Sequence, residues 1–217
     1  TNLVAGDTNG NSDVFLHELA SGATSRVSVD SNGQEIATPS FGPPSLSIDG
    51  AIVAFVTLTG PHYLEAQNVF VHDRSSGIPE QISSCVHQYS GMGVSGSDAA
   101  HPSLSATGDT VVFETSSFAS ETIYGGKTLY RFDRTTRTET EPVGFQLFDE
   151  WMHPVLSADG SLVAFASRSG LVGNDTNSLS DVFVHDGLKA WRTGYGYAYP
   201  GTLGAPTLTA SADPILG

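Results

Sequence analysis

One heptapeptide recurs along the chain at a near-constant interval. It reads Pro44-Ser45-Leu46-Ser47-Ile48-Asp49-Gly50, then Pro102-Ser103-Leu104-Ser105-Ala106-Thr107-Gly108, then Pro154-Val155-Leu156-Ser157-Ala158-Asp159-Gly160. A decayed copy, Pro206-Thr207-Leu208-Thr209-Ala210-Ser211-Ala212, follows, and the four prolines stand 58, 52 and 52 residues apart. Each intact copy runs into an apolar stretch ending Val53-Ala54-Phe55, Val111-Val112-Phe113 or Val163-Ala164-Phe165. A second segment alternates with the first: Asp13-Val14-Phe15-Leu16-His17, Asn68-Val69-Phe70-Val71-His72, Thr128-Leu129-Tyr130-Arg131-Phe132 and Asp181-Val182-Phe183-Val184-His185. A repeat of this length means one supersecondary unit used several times, each unit burying its apolar faces on its neighbours.

Each unit reads as four short strands. The Pro-x-Leu-Ser stretch is the first, and the Asp-Gly or Thr-Gly step after it is a tight turn in which glycine supplies positive φ at no steric cost. The Val-Ala-Phe run is the second strand, nearly continuous in apolar character as a strand covered on both faces must be. The Val-Phe-Val-His run is the third. Residues such as Thr24-Ser25-Arg26-Val27 form the fourth, after a Ser-Gly or Thr-Thr turn. Four strands in about 50 residues is the signature of a β-propeller blade. The expected fold is all-β, a propeller of four-stranded antiparallel blades over residues 1–217, with units at roughly 1–43, 44–101, 102–153 and 154–205 and a partial one at 206–217. About four repeats are visible, which fits either a small ring or part of a larger one. A sandwich would explain the strands but not the repeat.

The 9 basic and 23 acidic residues give a formal charge of −14, a surface that repels phosphate backbones, so nucleic acid is not an expected partner. No run of eighteen apolar residues exists, so no membrane-spanning helix is expected. The single cysteine, Cys85, allows no disulfide within the chain and reads as a small buried apolar residue. The chain opens on Thr1-Asn2-Leu3 inside a repeat rather than on a methionine, which reads as a processed or trimmed sequence.

The Pro-Ser-Leu-Ser-x-Asp-Gly stretch at 44–50, Val-Ala-Phe at 53–55 and 163–165, and Asp-Val-Phe-Val-His-Asp at 181–186 resemble the TolB-like, WD-like propeller repeats of secreted and periplasmic bacterial proteins. The resemblance covers nearly the whole chain. It implies an extracytoplasmic location and is specific for fold, whereas propellers host binding, scaffolding and catalysis alike.

Two loops carry candidate metal ligands. Asp7, Asn9 and Asp13 form one Asp-x-Asn-x-x-x-Asp pattern, and Asp175, Asn177 and Asp181 form another, each leading into a Val-Phe strand. Oxygen ligands alternating along a tight loop suit calcium, although the distal bidentate glutamate of an EF-hand loop is missing. The other reading is that these side chains make turns with the backbone. His17, His72 and His185 share one repeat position, and His101 and His153 share another just before proline. They would form a metal or acid–base cluster only if their blades bring them together. Residues 91–97 are glycine-rich without spelling Gly-x-Ser-x-Gly, Gly125-Gly126-Lys127-Thr128 lacks the upstream glycine of a phosphate loop, and no residue reads as catalytic. Exposed aromatics over residues 191–200 would suit stacking on sugars or a protein partner.

The leading functional expectation is a non-catalytic, extracytoplasmic interaction and scaffold propeller with calcium-stabilised loops and a protein partner, alone or as one subunit of an assembly. A carbohydrate-binding, lectin-like propeller and an accessory domain of a secreted hydrolase are the alternatives.

Overall fold

The computed structural model describes residues 3–61, 64–90, 93–118, 127–145, 152–168, 179–186 and 209–210. Every regular element among them is a strand: β1 (Phe15–His17), β2 (Thr24–Arg26), β3 (Ser40–Leu46), β4 (Ile52–Thr59), β5 (Ala66–Asp73), β6 (Ile78–Gln81), β7 (His87–Ser90), β8 (Gly93–Leu104), β9 (Thr110–Phe118), β10 (Lys127–Asp133), β11 (Thr138–Phe145), β12 (Val155–Leu156), β13 (Leu162–Ser167), β14 (Asp181–Asp186) and β15 (Thr209–Ala210). They form four antiparallel sheets, ordered β1-β2, β3-β4-β5-β6, β7-β8-β9-β10-β11 and β12-β13-β14-β15. This is the all-β propeller architecture expected from the repeat. Among the described residues the sheets do not close into a ring.

The second and third strands of the repeat pair as expected, with Phe55 opposite Phe70, Phe113 opposite Tyr130 and Phe165 opposite Phe183. Two features differ from the sequence reading. The first strand of the third sheet is twelve residues long and folds back on β7, so this sheet has a fifth strand. Thr209–Ala210 pairs with β14, taking the outer place in the fourth sheet instead of opening another one.

Period-two alternation explains how the sheets stack. On β4, Val53 and Phe55 pack back against Val14 and Val27 of the first sheet. Ile52, Ala54 and Val56, on the other face, pack forward against Leu104, Val111 and Phe113 of the third. Val112 and Leu129 then meet Leu156, Val163, Phe165 and Phe183 of the fourth. A strand buried on both faces in this way has no polar side to give, which is why these runs read as continuously apolar.

Polar residues of the repeat stitch the same seams. Ser45 accepts the Leu104 N–H at 3.0 Å, and its counterpart Ser103 accepts the Leu156 N–H at 3.0 Å. The Ile48 N–H donates to Ala106 O, and the Ala106 N–H donates to Ala158 O, one unit further on. Gly108 combines φ of +73° with a close approach, since a Cβ there would lie 2.7 Å from the Ile52 side chain.

Within each unit the Ser-x-Asp-Gly turn closes on itself. The Ser157 hydroxyl donates to Asp159 at 2.6 Å and accepts the Leu162 N–H at 2.9 Å; Ser47, Asp49 and Ile52 repeat this at 2.7 and 2.9 Å. Hydrogen bonds from Ser157 and Ser161 hold the Asp159 carboxyl at about 2, and backbone and hydroxyl donors likewise depress Asp49. Burial depresses His72 and His185. In both classes the folded pKa is the lower one, so the stabilisation is complete above the ordinary pKa and is lost as pH falls. Acid unfolding monitored by circular dichroism should therefore begin to weaken the fold below the usual 6.5 of histidine, as His72 and His185 are forced to charge. It should steepen below 3.8 as Asp49 and Asp159 protonate. Asp159→Asn should flatten the second stage only.

Candidate functional site

The first sheet carries a partly buried ionic cluster. Arg26, on β2, faces the loop before β1 because β2 pairs back on β1 with Phe15 opposite Arg26. Its guanidinium lies 2.9 Å from Glu35, 3.4 Å from Asp7 and 3.6 Å from Asp13. Its carbon stands 5.8 Å from the Phe15 ring centre, within cation–π range. The Arg26 side chain is 8% exposed and that of Asp13 only 1%. Burial works to raise the Glu35 carboxyl, but hydrogen bonds from Thr8 and the Asn9 backbone, with the charge of Arg26, hold it below its usual range.

Two of the three first-loop candidates for calcium come together here. Carboxylate oxygens of Asp7 and Asp13 lie within 4.8 Å of each other and of Glu35, a residue that loop spacing did not suggest. Asn9 is engaged differently: its Oδ1 accepts the Asn11 N–H at 2.7 Å and its Nδ2 donates to Ile36 O at 2.7 Å. An ion bound by Asp7, Asp13 and Glu35 would have to displace the Arg26 guanidinium. Asp181 opens β14, whereas Asp175 and Asn177 lie outside the described residues.

Asp13 also has a role that the repeat explains. It accepts the Ser28 hydroxyl at 2.8 Å, and Ser28 in turn accepts the Val14 N–H at 3.0 Å. Asn68 does the same with Ser83 at 2.7 Å, and Ser83 accepts the Val69 N–H at 2.8 Å. Acid or amide at the head of the third strand, with serine fifteen residues later, is thus a clasp between strands. The sequence signal was available in the two serines at matching offsets.

The histidines at one repeat position meet three environments. His17 is exposed against Thr24, His72 is buried with Nδ1 3.0 Å from Val27 O of the preceding sheet, and His185 is fully buried. At the other position, His101 and His153 do converge: their ring centres are 4.2 Å apart. Residues 93–96 lie in the β7–β8 hairpin, not in a strand-to-helix elbow. Burial raises the Cys85 thiol, which suits a packing residue. Residues 191–200 lie outside the described segments.

No protein-family model matches this chain, and no curated protein matches it. Solved structures do. A prolyl endopeptidase superposes with a TM-score of 0.51 at 19% identity, covering 82% of this chain and 25% of that one. The β-propeller domain of the Trilobed protease from Pyrococcus furiosus matches with a TM-score of 0.42 at 10% identity, over 67% of this chain and 38% of that one. An acylaminoacyl peptidase from Pyrococcus horikoshii matches at 0.45 and 10% identity, over 80% and 26%. The likeness to the prolyl endopeptidase is one of fold alone, and this chain spans a quarter of that protein's length.

The expectation of a non-catalytic interaction and scaffold propeller, alone or as one subunit of an assembly, is corrected by this comparison. The part that superposes here is a quarter of a prolyl endopeptidase, not a separate scaffold protein.

Proposed function

We propose that this chain is the propeller portion of an extracytoplasmic hydrolase of the peptidase class, serving it as a non-catalytic accessory domain. The observation that carries the reading is the superposition of 82% of the chain on part of a prolyl endopeptidase. The TolB-like character of the Pro-Ser-Leu-Ser-x-Asp-Gly and Asp-Val-Phe-Val-His-Asp motifs supports both the location and the association with a hydrolase. The polar groups of the repeat support the accessory role as well. Ser47, Ser103, Ser157, Asp49 and Asp159 are spent on turns and seams, and a nucleophile needs a base and an oriented partner instead.

The fourth sheet adds a physical reason to expect more protein. Val155, Leu162 and Val182 are 61%, 44% and 53% exposed, on the face opposite Val163, Phe165 and Phe183. In the second sheet the corresponding face, with Ala54 and Val56, is covered by the next sheet. An uncovered apolar face of this kind marks an interaction surface. The purified whole protein should release fluorophore from a fluorogenic peptide library. A whole protein that cleaves no peptide, and purifies with no hydrolase subunit, would overturn the reading.

A further inference from the structure

Asn9, Asn11, Asn32 and Asn68 are the asparagines among the described residues, and two of them stand before glycine, as Asn9-Gly10 and Asn32-Gly33. An asparagine before glycine is the side-chain amide most open to attack by the main chain, because no Cβ on the next residue keeps its nitrogen away from the side-chain carbonyl. What holds the amide then decides whether the attack occurs. Asn9 gives Nδ2 to Ile36 O at 2.7 Å and takes the Asn11 N–H on Oδ1 at 2.7 Å. Asn11 gives Nδ2 to Ala37 O at 2.7 Å. Buried Asn68 gives Nδ2 to Cys85 O at 2.9 Å and accepts the Ser83 hydroxyl on Oδ1 at 2.7 Å. Turning any of these three amides toward the following nitrogen would break bonds between separate segments of the chain.

Asn32 has no such clamp. It is exposed, in the turn between Val29 and Glu35, which face each other as an isolated bridge. Its N–H donates to Asp30 Oδ1 at 2.8 Å, and its Nδ2 stands at the long distance of 3.5 Å from Asp30 Oδ2. Gly33 has φ of +73°, with nothing within 4 Å of where a Cβ would stand. The Gly33 N–H donates to Asp30 O at 3.0 Å. That bond lies in an exposed turn, where local opening costs little, so it slows ring closure without preventing it.

The Asp-Gly turns of the repeat are open to the same chemistry in principle, and the fold protects them. Asp49 accepts the Ser47 hydroxyl and the Ala51 N–H, and Asp159 accepts the Ser157 hydroxyl and the Ser161 N–H. These donors keep both carboxyls ionised, and a carboxylate is a poor electrophile.

We propose that Asn32 is a site of spontaneous covalent modification in the folded protein, deamidating through a cyclic imide to aspartate and isoaspartate while Asn9, Asn11 and Asn68 stay intact. The Gly33 nitrogen, deprotonated by solvent base, attacks Asn32 Cγ, the bond from Cγ to Nδ2 breaks, and ammonia leaves. Water then opens the imide. Cleavage at Cγ gives aspartate, and cleavage at the main-chain carbonyl gives isoaspartate, with the chain rerouted through Cγ. In sum an amide and a water become a carboxylic acid and ammonia. Either product sets a second carboxylate beside Asp30, whose own carboxyl the Gln34 and Asn32 N–H groups hold below its usual range. A weak donor contact is thus exchanged for like-charge repulsion, and the turn that leads into Glu35 loosens. The site does not depend on the chain serving a hydrolase.

The full chain, folded or in guanidinium, can be held for days at mildly alkaline pH in water enriched in heavy oxygen. Digestion and mass spectrometry, with aspartate and isoaspartate peptides separated, then locate the conversion. In the folded chain the Asn32 peptide should convert and carry the heavy oxygen, which excludes conversion during digestion, while the Asn9, Asn11 and Asn68 peptides keep their amides. In guanidinium Asn9 should convert alongside Asn32, because both are then plain Asn-Gly steps. Hydrogen exchange at the Gly33 amide should be faster in the converted fraction. Asn32 left intact in the folded chain, or Asn9 converting there as fast as Asn32, would overturn the assignment, and unaltered exchange at Gly33 would overturn the loosening of the turn.

Discussion

Replacing Arg26 with alanine should destabilise the chain, because it takes the cation out of a partly buried cluster of three carboxylates. The loss comes less from the attraction forgone than from what is left behind. Asp7, Asp13 and Glu35 converge within 4.8 Å, and Arg26 is the cation among them. Without it, three partly buried carboxylates face one another with no guanidinium among them. Millimolar calcium should also restore part of the loss in Arg26→Ala, because three converging carboxylates are a fair oxygen site once the guanidinium is gone. Urea denaturation of wild type and variant, each with calcium and with chelator, measures both effects. Equal stability of the two proteins in chelator would show that the cluster is not formed.

Phe113→Ala should cost about 3–5 kcal/mol, for a different reason. Phe113 is 1% exposed, stacks on Tyr130 at 5.7 Å between ring centres, and packs among Ile52, Val111 and Leu104 across the seam between the second and third sheets. Truncation removes an aromatic ring and leaves a cavity that two sheets cannot close without shifting their shared seam. If the sheets stack as one unit, the variant should still unfold in a single transition, displaced as a whole. Two separated transitions would mean that the seam does not couple the second and third sheets. Phe41→Ala, at a residue 36% exposed on β3, should change little by comparison.

Much of this fold was legible because its information is periodic. The proline-headed heptapeptide and the Val-Phe-Val-His run mark the first and third strands, and the unbroken apolar runs mark the strands buried on both faces. Residues that act singly within the repeat were harder to read. Glu114 looks like an ordinary polar residue near a strand end until its burial is seen. Asp13 shows why the loop pattern was ambiguous: an aspartate heading a strand can ligate an ion or clasp a serine, and the two demands look alike in sequence. The structure assigns Asp13 to Ser28 and to Arg26, partners that a hairpin brings across from β2 and its continuation. Arg26 and Glu35 belong to the same cluster, yet they stand far enough along the chain that spacing within the loop could not reveal them. The His101–His153 pair is the converse case. The shared repeat position was visible, but their approach depends on two backbone conformations that histidine seldom adopts.

The proposal that this propeller serves a hydrolase is tested most directly by the intact mass and peptide map of the natural protein isolated from its source. The account predicts residues 1–217 within a larger polypeptide, or in a stable complex, that also contains a hydrolase domain. A mature product consisting of these 217 residues alone, with no hydrolase attached or associated, would contradict it.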